Sequence, residues 1–88
     1  MKRPQAEPKN VVDVLSLIKS GLMSRRANKG DHIFLSTHEC MGVIQEEWDE
    51  LKEAIHLNDK HKIQSELIDL IVAALWSLVS LRSKNMHW

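Results

Sequence analysis

The chain has 88 residues, which is enough for one small domain but too few for a doubly wound sheet or a barrel. Hydrophobic residues make up 43% and charged residues 27%, which excludes a disordered tail and is typical of a soluble globular protein. The twelve basic and twelve acidic side chains balance, and aromatic residues reach only 5%, so a platform that stacks nucleic-acid bases is not expected.

The first predicted elements are an arm and a helix. Residues 1–9 contain two prolines and are expected to form a flexible N-terminal arm, followed by a single domain over residues 10–88. Asn10 is the predicted N-cap of helix one, because apolar residues recur at helical spacing from there to about Ala27. The segment 28–30 ends this helix with a glycine.

Two further helices are predicted, joined by a tight turn. Helix two has Asp31 as a cap and an apolar stripe that runs from Ile33 to near Leu57. Residues 58–59 (ND) favour the turn, since Asn tolerates the left-handed conformation and Asp caps the next helix. Helix three is expected over residues 60–82. Helices two and three should form an antiparallel hairpin, so the predicted fold class is all-α.

Helix three is apolar around most of its circumference over residues 67–81. A single small neighbour cannot cover such a helix, so a second copy of the chain is expected to complete a four-helix or larger bundle, as a homodimer or homotetramer. Asp69, Ser77 and Ser80 interrupt the apolar run, which is judged too short for a membrane span. The lone Cys40 and the lack of an apolar leader predict a cytoplasmic protein without a membrane partner.

The acidic residues are concentrated in the middle of the chain, where residues 31–70 contain ten acids and three bases. Glu47 and Glu50 flank the apolar stripe of helix two, and Glu66 and Asp69 lie on a flank of helix three with small neighbours. If the hairpin brings the flanks together, four carboxylates converge, and their repulsion is relieved only by hard cations. This predicts a Mg²⁺ site, with Mn²⁺ as the second candidate, suited to phosphate esters.

These acids form a recognisable paired motif. Residues 46–50 (EEWDE) fit EExxE, and residues 66–69 (ELID) fit ExxD after fifteen intervening residues. The pair resembles that of the MazG-type all-α nucleoside triphosphate pyrophosphohydrolase superfamily, which includes the dimeric dUTPases and the phosphoribosyl-ATP pyrophosphohydrolases. The resemblance covers residues from about 33 to 82. It implies Mg²⁺-dependent hydrolysis of nucleoside or deoxynucleoside triphosphates between the α and β phosphates, which releases a nucleoside monophosphate and pyrophosphate and cleans the nucleotide pool.

The resemblance also assigns roles to the acids. Glu47, Glu50, Glu66 and Asp69 are the expected metal ligands, and Glu46 is the fifth catalytic residue, which supports the ligands or meets a neighbouring subunit. Family members commonly place a further helix with nucleotide-holding residues after the ExxD helix. In this chain, the expectation is that another subunit completes the pocket, or that the site is a minimal version with broad substrate tolerance.

Several apolar residues are assigned by their place on a stripe. Cys40 lies on the stripe of helix two and is expected in the core. Trp48 lies beside the acids and could stack on a base, but its place on the same stripe favours core packing. Trp76 lies away from a packing face centred on Leu67 and is expected at the subunit interface.

Two interpretations remain open for the basic residues and for the whole chain. Arg25, Arg26 and Lys29 could meet triphosphate oxygens in a partner's site, or they could form a solvated basic patch. The alternative function is a non-catalytic interaction module or regulator, in which the acids are solvated and the apolar third helix docks a partner. Nucleic-acid binding is not expected, because no recognition-helix pattern accompanies the basic N-terminal third.

Overall fold

The structure is a computed structural model that describes residues 2–88. It contains three helices in chain order, which are α1 (Pro8–Lys29), α2 (Thr37–His56) and α3 (Lys60–Leu81). Within residues 2–88 there is no strand, and an isolated bridge between Ser36 and His87 is the one pairing of sheet type. The predicted all-α class is therefore confirmed.

Helix α1 begins three residues earlier than predicted. Glu7 is its N-cap and Pro8 its first residue, a position that suits proline because the missing N–H has no helical partner there. Asn10 is not the cap, since its own N–H donates to the carbonyl of Glu7 at 3.0 Å. At the other end, Gly30 adopts a φ of 75° and its N–H donates to the carbonyl of Arg26, which confirms the predicted stop.

Helix α2 begins at Thr37, four residues later than predicted, because its cap is Ser36. The hydroxyl of Ser36 accepts the N–H of Glu39 at 3.2 Å. The prediction that Asp31 caps this helix is wrong. Its carboxylate instead accepts a hydrogen bond from Nε of Arg26 at 2.8 Å. Residues 30–36 form a loop between α1 and α2.

The turn between α2 and α3 confirms the predicted hairpin. Asn58 has a φ of 55°, in the left-handed region that asparagine tolerates. The side chain of Asp59 accepts the N–H of Lys62 at 3.1 Å and so caps α3. The two helices pack along each other, which brings the acidic stretches of both to the same place.

Helix α1 packs on α3 rather than on α2. The close approach occurs at Gly21, where an added Cβ would lie 2.8 Å from Cγ2 of Ile68 and 3.3 Å from Cγ2 of Val72. A larger side chain at this position would push the helices apart. The glycine therefore sets how near the basic end of α1 comes to the acids of the hairpin.

The apolar core lies around Trp76, and its composition corrects two predictions. Trp76 is only 5% exposed and its indole N–H donates to the carbonyl of His32 at 2.9 Å, so it is a core residue of this chain and not the expected interface residue. Leu67, the predicted centre of the packing face, is 43% exposed. The core cluster consists of Phe34, Cys40, Trp76 and Met86, and confirms the placement of Cys40.

The packing face of α3 instead combines small residues with Val72 and Trp76. Ala73 and Ser80 are buried there, and Ser80 is completely inaccessible while its hydroxyl accepts the N–H of Phe34 at 2.9 Å. Small side chains let α2 and the loop approach closely, so the face that the sequence analysis treated as a flank is the packed one. On α2, Trp48 is 44% exposed, so the prediction that it packs in the core is wrong.

Large apolar side chains remain exposed on the outer faces of α1 and α3. Helix α1 has no buried residue, and Val12 and Leu15 are both more than half exposed. On α3, Ile71 and Leu78 are exposed. Contrary to the expectation from sequence, α3 is long and apolar enough to cross a membrane when judged by length and composition alone.

Candidate metal centre

The α2–α3 hairpin brings acidic side chains from both helices together. One carboxylate oxygen from each of Glu47, Glu66 and Asp69 lies within 4.8 Å of the other two. We call these three residues the carboxylate cluster. Glu47 comes from the middle of α2, while Glu66 and Asp69 are one turn apart on α3 and therefore point to the same side.

Part of the carboxylate cluster is shielded from water without being paired. The Oε2 atoms of Glu47 and Glu66 are both buried, and neither has a hydrogen-bond partner among the residues that the structure describes. An unpaired buried carboxylate oxygen costs free energy comparable to a lost hydrogen bond or more. Each of these two atoms therefore needs an explanation, and an ion is one candidate for the missing partner.

Proton binding in the carboxylate cluster is shifted in one direction. Burial, followed by repulsion from Glu50, Asp69 and Glu66, raises the pKa of Glu47 to about 7. Burial also raises the pKa of Glu66, and the Glu50 carboxyl within hydrogen-bonding reach raises it further. Burial and the charge of Glu50 raise the pKa of Asp69. All three shifts have the same physical meaning, which is that negative charge is unfavourable at this place.

The other two predicted site residues lie at the edge of the carboxylate cluster. Glu50 is exposed, yet its charge acts on all three members of the cluster. Glu46 is also exposed and lies at the rim of the adjoining cavity, apart from the three converging oxygens. The structure thus brings together three of the five predicted residues most tightly, with Glu50 next to them.

The carboxylate cluster opens into a cavity of about 480 Å³, which we call the main cavity. Glu46, Glu47 and Asp69 line it from the hairpin, and Arg25 and Lys29 line it from α1. The two bases were predicted to reach a partner's site or solvent, but they border a cavity of their own chain. Arg26, the third base of that prediction, is exposed and paired with an acid of the following loop.

Two further polar residues of α1 were missed by the sequence analysis. Ser24 and Asn28 line the main cavity beside the bases. Their spacing in the sequence could have identified them. Ser24 and Arg25 lie three and four residues after Gly21, and Asn28 lies four and three residues after them, so all four share one face of α1. This face lies about a quarter turn from the apolar stripe of the same helix.

The donor atoms of the carboxylate cluster fit a hard divalent cation. All of them are carboxylate oxygens, the donor type that Mg²⁺, Ca²⁺ and Mn²⁺ prefer. Two oxygens on opposite sides of one Mg²⁺ are about 4.2 Å apart, given a bond length of roughly 2.1 Å. Adjacent ligand oxygens on the same ion are about 3.0 Å apart, so the three oxygens, which lie within 4.8 Å of one another, would have to move closer to ligate one ion.

The chain matches no protein-family model, no curated protein and no solved structure. The distinctive features of the chain are the converging carboxylates, their unpaired buried oxygens, and the bases that line the main cavity beside them.

Proposed function

We propose that this protein is a divalent-cation-dependent hydrolase of nucleoside or deoxynucleoside triphosphates. It cleaves the bond between the α and β phosphates and releases a nucleoside monophosphate and pyrophosphate. The observation that carries this proposal is the convergence of three carboxylates from two helices, with two buried oxygens that lack a partner. Such a site favours a cation, and a cation beside a cavity lined by bases favours a phosphate substrate.

The chemistry follows from the charges around the main cavity. Glu47, Glu66 and Asp69, with Glu50 beside them, would hold Mg²⁺. When bound, the cation neutralises phosphoryl oxygens and lowers the pKa of water. In the overall reaction, one water molecule adds across the α–β anhydride bond, which breaks to give the monophosphate and pyrophosphate, with net release of a proton to solvent. Glu46, at the rim, would orient the shell around the ligands.

The EExxE and ExxD motifs support the particular reaction class. They occur on consecutive helices joined by a short turn, which is the arrangement that the MazG-type resemblance implies. The main cavity, at about 480 Å³, is large enough for a phosphate chain together with part of a nucleoside. We propose a cytoplasmic role in cleaning the nucleotide pool.

We further propose that the active form is a homodimer or homotetramer. Its support is the apolar surface left on α1 and α3, where Leu15 is 62% and Leu78 65% exposed. A second copy would cover these side chains and complete a helical bundle. The same exposed α3 residues favour the alternative function, a regulator that docks another protein and does no chemistry.

The test is pyrophosphate release from a panel of nucleoside triphosphates with Mg²⁺. We expect pyrophosphate rather than orthophosphate, and we expect Glu66→Gln to lower the rate by about a hundredfold or more, since it removes a charged ligand. Glu53→Gln is the matched control, because Glu53 is an exposed acid of α2 outside the carboxylate cluster. Absence of turnover with every nucleotide would overturn the proposal and favour the regulator. Full activity in Glu66→Gln would overturn the assignment of the carboxylate cluster as the site of the reaction.

A further inference from the structure

Arg25 is held in place by aromatic rings and has no acidic partner. Its guanidinium carbon lies 4.3 Å from the centroid of the Trp76 ring and 5.5 Å from that of Phe34. Within residues 2–88 it forms no ion pair, and its Nη1 atom is buried without a hydrogen-bond partner. An arginine fixed by stacking and left unpaired is unusual, because desolvating a guanidinium without an anion is costly.

The neighbouring arginine shows the contrast within one turn of α1. Arg26 is exposed, and its Nε lies 2.8 Å from a carboxylate oxygen of Asp31. The sequence thus provides an ion-pair partner for the exposed arginine, while the arginine that faces the cavity has no acid within ion-pair distance, although the charge of Asp31 also acts on it. Burial accordingly lowers the pKa of Arg25, whereas the pair with Asp31 raises that of Arg26.

Arg25 and Lys29 lie between two cavities. Both line the main cavity, and both also line a neighbouring cavity of about 540 Å³ with an apolar wall that includes Ile33 and Leu35. The charge of Lys29 reaches Glu47 and Asp69 and opposes the rise in their pKa values, although it lies beyond ion-pair distance of both. The two bases therefore stand next to the carboxylate cluster without neutralising it.

We propose that Arg25 and Lys29 form an anion site that binds the phosphate oxygens of a diphosphate or triphosphate in the same protomer as the carboxylate cluster. The inference rests on the proposed function, since it assigns the substrate's phosphate chain to this wall of the main cavity. Arg25 contributes a planar fork of N–H donors that the rings hold in one orientation. Lys29 contributes a second, mobile positive charge one turn further along α1.

The test is calorimetric titration of the full chain with inorganic pyrophosphate in excess Mg²⁺. We expect Arg25→Gln to weaken binding by about tenfold to a hundredfold, because a charge-assisted pair is lost. Lys29→Gln should weaken it about threefold to tenfold. Arg26→Gln is the matched control, being the adjacent arginine already paired with Asp31, and should change binding less than about twofold.

Lys29→Gln keeps the test decisive if Arg25→Gln unfolds, since the Lys29 side chain is exposed. Absence of pyrophosphate binding in the wild type, unchanged binding in both cavity variants, or an equal loss in Arg26→Gln would each overturn the anion site.

Nucleotide hydrolysis by the same samples separates this inference from the proposed function. Pyrophosphate binding that depends on Arg25 in a protein that hydrolyses no nucleotide would support the anion site and reject the enzyme. Hydrolysis with an unchanged KM in both Arg25→Gln and Lys29→Gln would support the enzyme and reject the anion site.

Discussion

The α2–α3 pair builds two regions that treat buried polar atoms in opposite ways. In the apolar core, the indole N–H of Trp76 donates to a carbonyl and the hydroxyl of Ser80 accepts the N–H of Phe34, both at 2.9 Å. In the carboxylate cluster, the buried oxygens of Glu47 and Glu66 have no partner in the described part of the chain. The first region stabilises the fold, whereas the second leaves two buried polar atoms unsatisfied at a cost in free energy.

The largest expected effect is in the core, on replacing Trp76. Trp76→Ala should lower the free energy of unfolding by about 3–5 kcal/mol, because it leaves a large cavity and removes the hydrogen bond to the carbonyl of His32. Urea denaturation measures this loss. Trp48→Ala is the matched control, since Trp48 is 44% exposed and should cost about 1 kcal/mol or less. Equal losses in the two variants would mean that Trp76 is not the centre of the core.

A smaller core effect tests whether the hydrogen bond of Ser80 matters. Ser80→Ala should lower the free energy of unfolding by about 1–3 kcal/mol, because it leaves the buried N–H of Phe34 without an acceptor. Ser65→Ala, an exposed change on the same helix, should have an effect of about 0.5 kcal/mol or less. The comparison fails if the two serine variants unfold at the same urea concentration.

In the carboxylate cluster, by contrast, a conservative change should raise the free energy of unfolding. Without metal at pH 8, Glu47→Gln should raise the free energy of unfolding by about 1 kcal/mol, since it removes a partly buried charge from among like charges, a gain reduced by solvent screening. Thermal melting in a chelator detects the rise. Glu53→Gln should leave the midpoint within about 2 °C. Destabilisation by Glu47→Gln under these conditions would contradict the assignment.

The smallest expected effect is the pH dependence of the metal-free protein. The pKa of Glu47 is about 7 in the folded chain and near 4.5 when unfolded, so the folded state binds more protons between these values. Stability should therefore fall as pH rises from about 5 to 8, by about 1 kcal/mol, or roughly 4–8 °C in Tm. Glu47→Gln should flatten this slope, and a stability that rises with pH in the wild type would contradict the sign.

The sequence predicted the parts of the fold that depend on local chemistry. The hairpin follows from Asn58 and Asp59, because their backbone preference and capping act within a few residues. The end of α1 follows from Gly30 for the same reason. The predicted starts of α1 and α2 were wrong because several residues near each start can act as an N-cap. The structure shows that the caps are Glu7 and Ser36.

Long-range packing explains the remaining errors. The convergence of the acids was predicted from helical spacing, but the packing face of α3 was placed on Leu67 because large side chains were weighted over small ones. In the structure, Ala73 and Ser80 permit close approach and Trp76 finds an acceptor in a distant loop. The cavity role of Arg25 likewise depends on how α1 crosses α3, which periodicity within one helix does not reveal.

The most direct test of the central claim is a calorimetric titration of the wild type and Glu66→Gln with Mg²⁺ at pH 8, using Glu53→Gln as the control. If the carboxylate cluster is a cation site, the wild type and Glu53→Gln bind Mg²⁺ alike, and Glu66→Gln binds it at least about tenfold more weakly. A wild type that binds no Mg²⁺, or a Glu66→Gln variant that binds it as well as the wild type, would contradict the account.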